Sequence, residues 1–127
     1  MKREPSPAEV ALAHRVRAAL LNEWADVRLL CPRGHYICDA TVGVPVVDDR
    51  ESAPLWLWPR RSNESPSGYM TNANVRMAWH HESQTTSVIL TCQNSKCRYR
   101  GRRDMFALAV ESGAAALAGH AEHMLTS

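Results

Sequence analysis

A chain of 127 residues, 45% hydrophobic and 22% charged, has the size and composition of one soluble globular domain with its own core. No apolar run approaches the ~20 residues that cross a bilayer, and "MKREPSPAEV" has charge where a secretory signal needs an apolar stretch, so a cytoplasmic protein without a membrane partner is expected. The net charge of +2 is unevenly placed: "KCRYRGRR", residues 96–103, holds five basic groups and no acid, which leaves the rest of the chain net negative.

Residues 1–5 read as a tail. Ser6, Pro7 and Glu9 then form a helix-start signature: a cap, a proline at the first position and a capping-box acid. Val10, Ala13, Val16, Leu20, Trp24 and Val27 recur at helical spacing, which predicts one amphipathic helix over 7–26. "ICDATVGVPVV" is β-branched and reads as a strand, "DDRESAP" as a loop, and "LWLW" as a short strand between Pro54 and Pro59. "RRSNESPSG" reads as a loop. "NVRMAWH" alternates Val75, Met77 and Trp79 against Arg76, Ala78 and His80, and "TTSVILTC" runs as a strand into a cysteine pair. Asp104 can cap a last helix whose apolar face is Phe106, Val110, Ala114, Leu117, Ala121 and Met124. Gly113 and Gly119 each cost that helix ~1 kcal/mol relative to alanine, and they thin it so that a partner helix can approach. The fold expected is α+β: one domain, 1–127, with an N-terminal helix in 1–27, an antiparallel β module in 28–103 and a C-terminal helix in 104–127, the helices packed together.

Two short clusters carry the chemistry. "CPRGHYIC" holds Cys31, His35 and Cys38, and "CQNSKC" holds Cys92 and Cys97. Tetrahedral zinc takes four N or S ligands, usually as two closely spaced pairs, because a tight turn can aim both side chains at one ion. The order of knuckle, strands, knuckle suits such a site. One ligand set is Cys31, His35, Cys92 and Cys97, since Pro32 and Gly34 favour a turn ending at His35. The other replaces His35 by Cys38, at a wider spacing. A lone cysteine in a strand is also an ordinary core residue, and this description suits Cys38 best. A disulfide would need an oxidising compartment, for which the sequence has no signal.

No catalytic residues are expected. A catalytic zinc keeps an open position, and the spacing of Cys92 and Cys97 does not match a deaminase motif. Nucleophile elbow, phosphate loop and HExxH are all missing. His120 and His123, three apart, read as surface residues near the end of the last helix. His80 and His81 alternate across a strand, and His14 lies mid-helix.

In the basic stretch, Lys96, Arg98, Arg100, Arg102 and Arg103 surround Cys97 and Tyr99. If 98–102 is extended, Arg98, Arg100 and Arg102 share one face suited to phosphates, with Tyr99 as a stacking surface and Arg60 and Arg61 as an extension. The same charges also suit a solvated edge strand. Trp56 and Trp58 share one face of "LWLW", either within a buried strand or as a partner-binding patch. Trp24 and Trp79 fit core positions.

With Cys31, Pro32, Gly34, His35 and the Cys92/Cys97 pair, the chain resembles the zinc-ribbon class of small proteins, and "CPRGH" resembles short zinc-ribbon proteins of actinobacteria and their phages. The resemblance covers the knuckles and their strands, about a third of the chain, and does not reach the helices or the long insertion. It implies a zinc-ribbon-like β module, bound zinc, and contact with nucleic acid or a transcription or replication assembly. The alternative is a zinc-stabilised module that binds a host protein or pairs as a homodimer.

Overall fold

In a computed structural model, which describes residues 6–45, 55–60, 75–92, 94 and 96–126, the chain is α+β, with two helices and two mostly antiparallel sheets. The first helix, α1 (Pro7–Ala19), starts where its capping residues lie: the Ser6 hydroxyl accepts the Glu9 N–H at 3.2 Å, and Pro7 fills the first position. It ends about two turns earlier than helical periodicity predicts. Residues 25–30, "ADVRLL", alternate at period two and form a strand, β1 (Ala25–Leu30), burying Val27 and Leu29 while Asp26 and Arg28 face out. Trp24, expected in the core, is 50% exposed and lies across Gly43.

β1 pairs antiparallel with β2 (Tyr36–Gly43), and β2 pairs with β3 (Trp56–Arg60). The second sheet is a meander of β4 (Val75–His80), β5 (Thr85–Thr91) and β6 (Arg100–Asp104). Asp104 then caps α2 (Met105–Leu117), accepting the Ala107 N–H at 3.0 Å. The last helix was expected to continue to 127, but the chain turns at Gly119, where φ is +91°, and residues 122–124 form β7 (Glu122–Met124). β7 adds in parallel to the free edge of β1, giving a four-stranded sheet in the order β3-β2-β1-β7. The expected tail over 1–5, the expected loops over 48–54 and 61–68, and Arg61 lie outside the described residues. Among those described, no helix is long and apolar enough to cross a membrane.

The core gathers Leu29, Ile37, Cys38 and Leu57 from the first sheet, Val88 and Leu90 from the second, and Leu108 and Ala109 from α2. The buried residues of α2 are Met105, Leu108, Ala109, Val110, Ser112 and Gly113; of the expected face Val110 is among them, whereas Phe106 and Leu117 are 39% and 48% exposed. Gly113 sets this rotation. A methyl added there would lie 2.7 Å from Val16 Cγ1 and 3.2 Å from Leu20 Cδ1. Gly113→Ala should therefore lower the urea midpoint. Its helix-propensity gain of ~1 kcal/mol opposes an overpacking cost of ~1–3 kcal/mol. A raised midpoint would show that Val16 yields without cost.

Candidate metal centre

Each knuckle is a turn between two strands, and the two turns belong to different sheets. The first joins β1 to β2. The Cys31 N–H donates to the His35 carbonyl at 2.8 Å, and the Gly34 N–H donates to the Cys31 carbonyl at 2.8 Å. Gly34 has φ +86°, a left-handed conformation that glycine adopts without a side-chain penalty. The turn aims two backbone donors at sulfur: the N–H groups of Arg33 and His35 lie 3.3 and 3.4 Å from Cys31 Sγ. The second knuckle joins β5 to β6. Asn94 organises it: its carbonyl accepts the N–H of Cys97 and of Arg98, and its side chain accepts the N–H of Lys96. An asparagine in a tight turn is the signal that could have marked this role in the sequence.

These turns bring Cys31, His35, Cys92 and Cys97 together, with their ligand atoms all within 4.8 Å of one another. Cys31 Sγ lies 3.4 Å from His35 Nδ1 and 3.6 Å from Cys97 Sγ, and Cys92 Sγ lies 3.7 Å from His35 Nδ1. Cys31 and Cys92 are buried, Cys97 and His35 half-buried, and no disulfide joins the cysteines. The four residues could hold a metal ion. Cys38 falls outside the group. It is buried on β2, where it registers with Leu29 and contributes to the core.

The thiols differ in acidity. Burial pushes the Cys31 thiol up, but the N–H groups of His35 and Arg33, with Cys97 and Cys92, outweigh it and bring it from 9.0 to about 7. Burial pushes the Cys92 thiol up; the Asn94 backbone opposes this, and Cys97 and Cys31 add to it. Cys31 is thus the readier thiolate.

The basic stretch does not form the single row expected of an extended 98–102. Arg98 has φ +52°, so the strand starts only at Arg100. Arg100 and Arg102 are exposed on one face of β6, and Lys96 and Arg98 are exposed in the preceding turn. Arg103 registers with Val88 on the opposite face, where it is half-buried and donates to the Thr126 carbonyl and hydroxyl. Tyr99 packs against the core, with its hydroxyl over Gly101, so its ring is not an open stacking surface. Arg60 closes β3.

Trp56 and Trp58 are half-buried, and the Trp58 ring centroid lies 4.4 Å from Trp24 and 6.5 Å from Trp56. Trp79, expected in the core, is 57% exposed because it sits at the end of β4 beside the hairpin turn. His81 and His14 are exposed, whereas His80 Nε2 lies 2.7 Å from Ser87 Oγ and accepts from Arg102 at 3.1 Å. His120 and His123 do not share a helix face: His120 follows Gly119 in the turn, and His123 is on β7, 3.2 Å from Glu111 of α2. No protein-family model, curated protein or solved structure matches the chain.

Proposed function

We propose that the chain is a non-enzymatic zinc protein that contacts nucleic acid, alone or within a transcription or replication assembly. The grouping of three cysteines and one histidine carries the reading. Tetrahedral zinc, about 2.3 Å from thiolates and about 2.0 Å from imidazole, spaces its ligands roughly 3.5–3.8 Å apart. The separations of 3.4, 3.6 and 3.7 Å fit that spacing. Four protein ligands leave no open coordination position, which favours a structural over a catalytic ion. The same knuckle residues underlie the zinc-ribbon resemblance, and the local excess of positive charge beside Cys97 favours a polyanionic partner.

Metal analysis of protein purified without chelator should give one zinc per chain. Cys38→Ser should retain it, and His35→Ala should weaken zinc binding by at least tenfold. Zinc lost from Cys38→Ser but kept by His35→Ala would overturn this ligand set. Absence of binding to DNA and RNA at low salt would overturn the nucleic-acid reading.

A second reading rests on the tryptophans. Trp24 is half exposed against Trp58, and such a corner also suits a protein partner or a second copy of the chain. A partner retained after nuclease treatment and lost in Trp58→Ala would favour it.

A further inference from the structure

Strand register adds a residue to the basic face that lies far from "KCRYRGRR" in sequence. Ile89 of β5 pairs with Arg102 on one side and Arg76 on the other. Directly paired residues share a sheet face, so Arg76 and Arg102 flank Ile89, about 10 Å apart at ordinary strand spacing. Arg100, paired with Thr91, stands on the same face one pleat further along β6, about 7 Å from Arg102. All three arginines are exposed. The remaining outward positions of this sheet are Ala78, His80, Thr85, Ser87 and Asp104. Asp104 is the single acid among them, and its carboxylate already accepts the Ala107 N–H of α2. The opposite face holds Val75, Leu90, Met77, Val88 and the half-buried Arg103, and packs toward the core.

What this face lacks is as informative as its charge. The one ring among its strand positions is the His80 imidazole, which is half-buried and held by Ser87 Oγ at 2.7 Å and by Arg102 at 3.1 Å. Trp79 registers with Thr86 on the other face, and the Tyr99 hydroxyl lies over the inward side of Gly101. Binding of single strands depends on aromatic side chains that stack on unpaired bases. With that imidazole engaged by its neighbours, a face of guanidinium and hydroxyl donors meets phosphates and offers no free ring to a base.

We propose that the outer face of β4-β5-β6, with Arg76, Arg100 and Arg102 as its phosphate contacts, binds the backbone of double-stranded nucleic acid without reading its sequence. This deepens the nucleic-acid reading above and rests on it. Arg76 contributes as much as either arginine of the basic stretch, and Arg98, which leaves the strand row, contributes less.

The test uses full-length, metal-loaded protein and fluorescence anisotropy over a salt series. The probes are a short DNA duplex, an RNA duplex of the same sequence, a duplex of scrambled sequence and the single strand. At least one duplex should bind more tightly than the single strand, with equal affinity for the scrambled sequence. Replacing Arg76, Arg100 and Arg102 together by glutamine should reduce the slope of log K against log salt by about 2.7, and Arg76→Gln alone by about 0.9. Tyr99→Phe should change nothing. Tighter binding of the single strand, or an unchanged slope in Arg76→Gln while Lys96→Gln and Arg98→Gln reduce it, would overturn the proposal and leave the broader reading standing. Absence of binding to every probe would overturn both.

Discussion

Metal removal should lower the melting temperature by roughly 10–20 °C. A ligand at a thousandfold excess over its Kd stabilises the native state by about 4 kcal/mol, and at this chain length each kcal/mol corresponds to roughly 3–5 °C. The effect is large because the four proposed ligands come from turns of two sheets: Cys31 and His35 from the β1–β2 turn, Cys92 and Cys97 from the β5–β6 turn. Chelated wild-type protein and Cys92→Ser should melt within a few degrees of each other, since both lose the same cross-link. Acid should act in the same direction, because protons compete with metal for the thiolates. In the metal-free protein Cys92, whose thiol is pushed up, holds its proton more firmly than Cys31, which is held at about 7. Zinc affinity measured by competition with a chromogenic chelator should therefore fall steadily as pH is lowered through neutrality. A melting curve indifferent to chelator would refute a structural metal.

Leu29→Ala should cost about 3 kcal/mol, within the usual range for a buried leucine truncated in a core. Leu29 is fully buried near the end of β1, registered with Cys38 on one side and His123 on the other. Neighbours on both strands hold the walls of the resulting cavity apart, which limits the collapse that would soften the loss. Urea denaturation should show a lower midpoint with an unchanged slope. A loss below ~1 kcal/mol, at the low end for substitutions generally, would mean that β1 is not the centre of the sheet.

Local signals were the legible ones. The caps at Ser6 and Asp104 involve residues three apart, and both formed. The residues Cys31, His35, Cys92 and Cys97 were recognisable because each turn encodes its own pair of candidate ligands; what the sequence left open was Cys38 against His35. The structure groups His35 with the other three cysteines, while Cys38 falls opposite Leu29 in a buried strand. Pairing between distant strands was not legible. Trp24 continues the helical series from Leu20 by coincidence of spacing, but residues 25–30 pair with β2 and the chain leaves the helix first. Similarly, three residues at 122–124 are too few to declare a strand, and β7 exists because β1 offers an edge. Arg76 joins Arg102 only through Ile89, a relation that no linear window contains.

The parallel pairing of β7 with β1 also bears on how the chain is made. β1 precedes every other described strand in the chain, and the strand that closes its edge is the last of the described elements to leave the ribosome. Throughout elongation the hydrogen-bonding groups on that side of β1 face solvent, able to recruit a strand from another nascent chain. Arg28, which registers with Glu122, is exposed on this strand, and charge at an open edge discourages such pairing until residues 122–124 arrive.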